Sequence, residues 1–171
     1  MKPIPVKKRN KDQPFVVVGC IIEKNNKFLL VQEAGHSRGL WNQPAGWLDN
    51  FENIAQGAQR EAEEETGLKI KLTGLLGVYN LVKPKRKHHA VKFIFAAKPL
   101  TAKIKLDPDE ILDAKWFTLE EVKALKRKRV LRDYDIINEI KDYQSKKIYP
   151  IKITEKILIQ NSEGIVDKNI K

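Results

Sequence analysis

Three glutamates near the middle of the chain, Glu61, Glu64 and Glu65, have a spacing that suits metal chemistry. Residues three and four positions apart on a helix project from one face, so a helix here would bring the three carboxylates together. Like charges at this spacing weaken an isolated helix unless a positive group lies over them. A hard divalent cation that prefers oxygen ligands is the expected partner, with Mg²⁺ as the first choice.

The residues around these glutamates carry the signals of a single amphipathic helix. Asn53 can cap its N-terminus, with Gln56 as the third helical residue, and Gly67 suits its C-terminal cap. Gly57 lies inside the helix, where glycine costs about 1 kcal/mol relative to alanine, and we expect it to permit close approach of a neighbouring strand. An apolar stripe at helical spacing supports the same helix and consists of Ile54, Ala58 and Ala62.

The charged residues of this segment resemble the Nudix box, G-x5-E-x7-R-E-U-x-E-E-x-G-U, in order and in spacing. The one departure is Ala62, which is smaller than the aliphatic residue usual at the first U position. The matching residues are Gly46, Glu52, Arg60, Glu61, Glu64, Glu65, Gly67 and Leu68.

Resemblance to Nudix hydrolases implies that a bound Mg²⁺, with Mn²⁺ as an alternative, helps water to cleave a phosphoanhydride in a nucleoside diphosphate linked to another group. It implies that Arg60 orients Glu61 or another carboxylate, and that Glu52 forms a salt bridge or positions the helix. A metal can polarise phosphoryl oxygens and lower the pKa of bound water, while the protein supplies geometry. The implied metal ligands are Glu61, Glu64, Glu65 and the Gly46 carbonyl.

A further carboxylate is expected to complete the catalytic group. Residues 106–111, which precede Trp116 and Phe117, resemble the Nudix loop that often brings another acid toward the metal. We predict that Glu110 is catalytic, with Asp109 or a glutamate of the box as the alternative base. Solvated turn residues would have the same composition, so this assignment stays open at the level of sequence.

The chain resembles the NudJ-type bacterial phosphatases more than other Nudix branches. The similarity spans most of residues 15–150, and it rests on the segments 40–46, 143–145 and 149–150. It implies a small anionic substrate, namely nucleoside di- and triphosphates or the hydroxymethylpyrimidine diphosphate of thiamine metabolism, and release of orthophosphate. ADP-ribose hydrolysis, hydrolysis at RNA 5′ ends and a non-catalytic nucleotide-binding role remain alternatives.

Residues just before the box are expected to run beside the substrate cleft. Asn42 and Gln43 have amide groups that can read a base edge, whereas Trp41 suits the core and a stacking surface equally well. Arg132, which we place at the start of the last helix, is the predicted phosphate contact. His88 and His89 stand beside lysines and are expected on the surface.

Composition limits the class of protein. A chain of 171 residues forms one ordinary domain, and its net charge of +11 suits a polyanionic substrate; nucleic acid is not the favoured partner.

The lone cysteine, Cys20, lies in an apolar run and is expected to be buried and structural. We find no signal peptide or transmembrane pattern, so a cytoplasmic location without a membrane partner is expected. The sequence indicates no particular oligomeric state. The basic runs cover residues 7–11, 83–87 and 126–132.

Elements that position these residues follow from local periodicity. Residues 15–22 and 28–32 read as a β-hairpin, residues 41–48 as a short strand, and residues 70–82 and 90–97 as two further strands. Thr118 and Glu121 form a capping box, and a final helix has Ile136, Ile137, Ile140 and Tyr143 on its inner face.

Periodicity alone predicts a mixed α/β fold, and the Nudix resemblance makes it an α/β/α sandwich with a mixed sheet and a loop-helix-loop that carries the metal site. We expect the domain to span residues 13–150, after a basic arm at residues 1–12. Residues 151–171 would form a tail or a small hairpin around a turn at residues 161–164.

Overall fold

A computed structural model describes residues 13–86, 88–154, 156–161 and 164–169. Its main sheet is mixed and has seven strands among these residues, with β3, β2, β1, β6 and β5 side by side, β4 paired to β1, and β7 paired to β2. The strands are β1 (Phe15–Lys24), β2 (Lys27–Glu33), β3 (Trp41–Asn42), β4 (Ala45–Trp47), β5 (Ile70–Lys83), β6 (His88–Pro99) and β7 (Ile111–Phe117).

The first two strands form the predicted hairpin. β1 and β2 pair in antiparallel register from Glu23 opposite Phe28 to Lys24 opposite Lys27. The two residues between them, Asn25 and Asn26, have φ angles of 52° and 60°. Asparagine tolerates this left-handed conformation, and two such residues give the tight turn whose twist matches that of the strands.

Helices cover both faces of the sheet. The helices are α1 (Ile54–Thr66), α2 (Leu119–Arg127) and α3 (Ile136–Gln144). Ala58 and Ala62 of α1 pack with Cys20 in one buried cluster, whereas Ile136 and Ile140 of α3 belong to a second cluster. Successive side chains of a strand point to opposite faces, so each central strand contributes to both clusters. The predicted α/β/α sandwich is confirmed.

Capping interactions fix both ends of α1 as the sequence predicts. The side-chain oxygen of Asn53 accepts hydrogen bonds from the backbone N–H groups of Ala55 and Gln56. Gly67 adopts a left-handed φ of 67°, and its N–H donates to the Glu63 carbonyl. Glycine suits this cap because it has no Cβ to clash.

The neighbours of Gly57 differ from the prediction that a strand approaches the helix at this residue. A Cβ at this position would lie 2.7 Å from Glu52 Oε2 and 3.0 Å from Leu48 Cδ1. The close neighbours are therefore two loop side chains rather than a strand. The missing side chain makes room for the Glu52 carboxylate against the helix, so the packing of this glycine is linked to the acidic site.

Two further boundaries differ from the expectations. Residues 41–48 form two short strands, β3 and β4, rather than one, because β3 pairs with β2 and β4 pairs with β1. Arg132 does not start the last helix, since α3 begins at Ile136 with Asp135 as its N-cap. The capping box of α2 is confirmed, with Thr118 and Glu121 bonded reciprocally.

After α3, the described chain bridges to the edge strand β5 and then forms a hairpin. Tyr149 bridges to Leu75 of β5, and a short 3₁₀ turn follows at Ile151–Thr154. β8 (Lys156–Asn161) pairs in antiparallel register with β9 (Gly164–Asn169). Residues 162 and 163 of the predicted turn lie outside the described residues, as do residues 1–12 and 87 of the predicted basic regions. No described helix is both long and apolar enough to cross a membrane.

Candidate active site

Arg60 lies at the centre of the acidic face of α1. Its guanidinium donates to both oxygens of Glu52, with Nε–Oε1 at 2.7 Å and Nη2–Oε2 at 2.9 Å. Its Nη1 donates to Glu61 Oε1 at 2.7 Å and to Glu64 Oε2 at 2.9 Å. A planar guanidinium is suited to such fork-like contacts. One cation therefore connects the loop before α1 to two of the predicted metal ligands.

Gly46 and Glu65 connect the same helix to β4. A Cβ at position 46 would overlap the Glu61 carboxylate, so only glycine permits this carboxylate to lie against the strand. Glu65 Oε2 accepts a hydrogen bond from the Ala45 N–H at 3.0 Å. Of the predicted ligands, the structure therefore brings Gly46, Glu61 and Glu65 together where α1 meets β4, while Glu64 is linked to Glu61 through Arg60.

Burial and crowding of like charges perturb the carboxylates of this site. Burial raises the pKa of Glu61 to about 7, although the hydrogen bond from Arg60 opposes the shift and Glu64 adds to it. Burial and the nearby Glu61 also raise the pKa of Glu65 well above the ordinary value. Glu52 differs, because its hydrogen bonds to Arg60 lower its pKa. Elevated pKa values of clustered acids are typical of functional sites.

The donor set fits a hard divalent cation. It consists of carboxylate oxygens and a backbone carbonyl, which Mg²⁺ prefers to nitrogen or sulfur. A cation would also offset the repulsion that raises the pKa values of Glu61 and Glu65. Glu61 and Glu64 each direct one oxygen at Arg60, so a cation would use the other oxygen or displace the guanidinium. Among the described residues, no three Asp, Glu, His or Cys side chains form a ready-made set of metal ligands.

A cleft opens beside Gly46 on the face of the sheet that carries α3. It is partly cationic, and its lining includes Asn42, Gly46, Lys92, Arg132 and Asp133. Backbone hydrogen bonds from Trp41 N–H to Val130 and from Arg132 N–H to Trp41 hold residues 130–132 beside β3. The predicted substrate residues Asn42 and Arg132 are therefore neighbours of the acidic site.

Arg132 is paired with Glu33 at the end of β2. Burial would lower the pKa of Arg132, but Glu33, Asp133 and Glu65 together raise it. Glu33 in turn contributes to the raised pKa of Glu65. Glu33 carries no signal in the sequence, because its relation to the box arises only when β2 is placed in the sheet.

Gln43 occupies a different position from the one expected for a residue that reads a base. It is 1% exposed, and its amide nitrogen donates to Glu139 Oε2 at 2.7 Å. Glu139 Oε1 accepts from Lys92 Nζ at 2.6 Å, and Lys92 also donates to Asp135 at 2.7 Å. We call Gln43, Lys92, Asp135 and Glu139 the buried network. This arrangement favours a positioning role for Gln43 over direct contact with substrate.

The two acids proposed for the loop before β7 are exposed. Asp109 and Glu110 lie in a turn, and the Glu110 carbonyl accepts a hydrogen bond from the Ala34 N–H at 2.8 Å. This bond places the turn next to Glu33, at the same end of the sheet as the cleft. The Glu110 side chain points to solvent, so the structure leaves its catalytic role as a proposal.

His88 lines the cleft, although its position beside lysines predicts a place on the surface. It lies at the start of β6, with its ring 5.5 Å from that of Phe15, and is half-buried. Burial and the neighbouring Lys83 lower its pKa, so the ring is predominantly neutral near pH 7. β5 and β6 pair as far as Lys83 and His88, so His88 lies in a strand beside the cleft rather than in a loop.

An acidic helix packs against a mixed sheet with a partly cationic cleft beside it, which is the arrangement expected of a hydrolase of phosphoanhydride bonds. The NUDIX domain model matches residues 13–139. The chain therefore belongs to the Nudix family.

Similarity to individual proteins agrees with this assignment. Phosphatase NudJ from Escherichia coli (strain K12) is 30% identical over 142 residues, which cover 82% of this chain and 90% of the relative. A NUDIX hydrolase structure from Nitrosomonas europaea has a TM-score of 0.75 and 33% identity, covering 82% of this chain and 95% of that one. MutT NUDIX hydrolase from Burkholderia pseudomallei has a TM-score of 0.58 and 27% identity, with coverages of 63% and 85%.

Proposed function

We propose that this protein is a Mg²⁺-dependent hydrolase of small nucleotide-like diphosphates and triphosphates, with Mn²⁺ as an alternative cation. Its substrate class would be nucleoside di- and triphosphates or a related compound such as hydroxymethylpyrimidine diphosphate. The observation that carries the proposal is that Glu61 lies against Gly46 and Glu65 bonds to Ala45, while Arg60 holds Glu64 beside Glu61. Similarity to phosphatase NudJ supports this choice within the family. We assign the activity to a domain of residues 13–150.

The proposed mechanism divides the work between the cation and the chain. Bound Mg²⁺ would polarise the phosphoryl oxygens and favour ionisation of the attacking water. Glu61, Glu64, Glu65 and the Gly46 carbonyl would hold it. Arg60 restrains Glu61 and Glu64 through charge-assisted hydrogen bonds, so their carboxylates are oriented before substrate arrives.

Proton removal from the attacking water requires a positioned carboxylate. Glu61 is itself a proposed ligand of the cation, and a bound cation would lower its pKa. We therefore keep Glu110 as the proposed base, with Asp109 or a glutamate of the box such as Glu61 as the alternative. Replacement of Glu110 by Gln separates them: a loss of about 100-fold or more in kcat would identify Glu110 as the base, and a small change would favour Glu61.

Arg132 is proposed to contact a substrate phosphate. It lines the cleft together with Gly46, and its side chain is 36% exposed although it pairs with Glu33. Replacement by alanine should raise the KM for nucleotide more than it lowers kcat, because the contact contributes to substrate binding. An unchanged KM would contradict this assignment.

The test of the function is a substrate panel with orthophosphate and pyrophosphate resolved. It would contain nucleoside di- and triphosphates, hydroxymethylpyrimidine diphosphate, ADP-ribose, dinucleoside polyphosphates and 5′-triphosphorylated RNA, each with Mg²⁺, with Mn²⁺ and with chelator. We expect cation-dependent release of orthophosphate from the first two groups. Turnover restricted to ADP-ribose or RNA would contradict the proposed substrate class, and no turnover of any compound would contradict catalysis.

A further inference from the structure

Glu33 and Arg132 form an ion pair at the edge of the cleft. Arg132 Nη1 donates to Glu33 Oε1, and Nε of the same guanidinium lies 3.8 Å from Asp133 Oδ2. The third nitrogen, Nη2, has no hydrogen-bond partner among the described residues. Arginine presents its donors in one fixed plane, so carboxylates beside two of the nitrogens set the direction of the third.

The two partners of this ion pair differ in exposure. The Glu33 side chain is 15% exposed, whereas that of Arg132 is 36% exposed, and Arg132 lines the cleft together with Gly46. The acid is therefore the anchored member of the pair, and the guanidinium is the member that a ligand can reach. A ligand in the cleft can contact Arg132 while Glu33 keeps its bond.

Backbone hydrogen bonds fix Glu33 before any ligand arrives. Its N–H donates to the Leu40 carbonyl at 3.0 Å, and its carbonyl accepts from the Gly39 N–H at 2.8 Å. The following N–H, that of Ala34, donates to the Glu110 carbonyl at 2.8 Å. Two loops beside the sheet therefore hold the end of β2 that carries the Glu33 carboxylate.

A β-bulge lies directly beside Glu33. Gln32 of β2 is opposite Asp113 of β7, but Glu33 is opposite Ile111, so the register skips Leu112. Bulges bend a sheet locally, change the direction of side chains and are frequent beside active sites. The place of this bulge agrees with a role for Glu33 in the cleft.

The backbone of Arg132 is held independently of Glu33. Its N–H donates to the Trp41 carbonyl at 2.9 Å, and the next residue, Asp133, is paired with Lys83 of β5. Loss of the Glu33 carboxylate should therefore release the side chain of Arg132 without moving the segment that carries it.

We propose that Glu33 is a positioning residue for substrate binding, which fixes the guanidinium of Arg132 so that its free nitrogen meets a phosphate of the substrate. The inference deepens the proposed function and rests on the phosphate contact proposed there for Arg132. A guanidinium that is oriented in advance loses less conformational entropy when the phosphate binds.

The sign of the effect tests the proposal, because Glu33 is itself an anion. Through its charge alone it would weaken the binding of a phosphate, so its removal would lower KM. We expect Glu33→Ala instead to raise the KM for adenosine diphosphate by about 10-fold and to change kcat by less than about 3-fold. An unchanged or lower KM would overturn the proposal.

Glu33→Gln keeps the shape of the side chain and an acceptor for Arg132, so it should raise KM by only about 3-fold. Glu23→Gln is the matched control, because the Glu23 side chain is 12% exposed and paired with Lys98 but does not line this cleft. It should leave KM unchanged. If Glu33→Ala does not fold, the two Gln variants decide, and equal KM values in them would overturn the proposal.

Arg132→Ala shows whether the effect passes through the guanidinium. In this background Glu33→Ala should no longer raise KM, because the group that Glu33 positions is absent. A rise of about 10-fold in both backgrounds would overturn the proposal, since Glu33 would then act on the substrate or the cation directly.

Binding without catalysis separates this inference from the proposed function. Calorimetry with adenosine diphosphate, in chelator, should give a Kd that is about 10-fold higher in Glu33→Ala than in wild type. If no nucleotide is hydrolysed but this rise is observed, the proposed activity fails and the positioning role stands. If adenosine diphosphate is hydrolysed but its KM and Kd are the same in both proteins, the activity stands and the positioning role fails. A wild-type protein that neither hydrolyses nor binds adenosine diphosphate would overturn both.

Discussion

The acidic face of α1 and the buried network both combine carboxylates with a cation, but in different proportions and at different exposure. On the acidic face of α1, Arg60 forms ion pairs with Glu52, Glu61 and Glu64, and the Glu64 side chain is 54% exposed. In the buried network, Lys92 is 3% exposed and Glu139 is fully buried. An open site with excess acid can exchange a contact with Arg60 for a cation, whereas almost no solvent reaches the buried network, although Lys92 also lines the cleft.

Because of this difference, we expect the acidic face of α1 to affect catalysis and the buried network to affect the stability of the fold. Carboxylates on α1 repel one another, so bound cation and substrate would have a large effect on them. The buried network instead fixes the segment before β4, because Gln43 and Glu139 connect that segment to α3. Substitutions on α1 should therefore change turnover with little effect on stability, and substitutions in the buried network should do the reverse.

Glu64→Gln should have the largest effect on activity. The change removes a charge from the proposed metal site without altering side-chain volume, so we expect kcat to fall by about 1000-fold and the thermal midpoint to change little. Glu63→Gln is the matched control, since Glu63 lies on the same helix but bonds to Gln59 and Lys69. A near-normal kcat in Glu64→Gln, measured under saturating Mg²⁺, would remove Glu64 from the ligand set.

Glu139→Ala should have the largest effect on stability. It leaves the buried ammonium of Lys92 with one fewer carboxylate, and loss of one partner from a buried ion pair costs about 3 to 5 kcal/mol. Denaturant titration above pH 7, where Glu139 is ionised, would measure the change. The double variant Lys92→Met, Glu139→Leu should recover much of the loss, because it buries no charge at either position. A single variant as stable as wild type would show that the network is not structural.

The sequence alone predicts the acidic face of α1 but not the buried network, because the residues of the first are close together along the chain and those of the second are far apart. The acids of α1 lie within five residues of one another, and helical geometry brings them to one face. Lys92 and Glu139 are separated by 47 positions, and Gln43 and Glu139 by 96, so only packing of α3 on the sheet makes them neighbours. Most element positions followed from local patterns and the mixed sheet from the family resemblance, whereas the order of the strands was not predicted.

Individual errors have the same origin. Gln43 reads as an exposed amide in sequence, but the partner that buries it lies on α3. The space beside Gly57 is filled by a side chain from the preceding loop, and periodicity within a helix carries no information on loops. His88 reaches the cleft because β6 starts earlier than its apolar residues indicate.

The pH dependence of stability offers a smaller and more specific test of the network. Burial raises the pKa of Glu139 from the ordinary value of 4.5 to about 7; Lys92 opposes the shift, while Asp135 and Asp133 add to it. Between these two pH values the folded protein keeps a proton that the unfolded chain has lost. The contribution of Glu139 to folding free energy is therefore complete below about pH 4.5 and declines as pH rises through 7.

Glu139→Gln isolates this contribution from the other buried acids. From pH 5 to pH 7.5, wild type should lose about 1 to 3 kcal/mol of stability relative to the variant, which cannot titrate at this position. Urea titrations of both proteins across this range provide the measurement. Parallel stability curves would show that Glu139 is ionised in the folded protein throughout, and that Lys92 and Gln43 fully offset its burial.

Asn53→Ala should produce the smallest of these effects, and it tests what holds the start of the acidic helix α1 in place. Asn53 Oδ1 accepts from the first turn of α1, while its Nδ2 donates to the Thr154 carbonyl at 2.7 Å. Loss of the cap should cost about 1 kcal/mol of unfolding free energy. Asn53→Asp keeps the acceptor but removes the donor, so the difference between this variant and wild type measures the contact with Thr154, and the difference between the Ala and Asp variants measures the cap. If Asp restores full stability, the cap alone fixes the start of α1; if Asp is as unstable as Ala, the C-terminal segment is what holds the acidic helix in place.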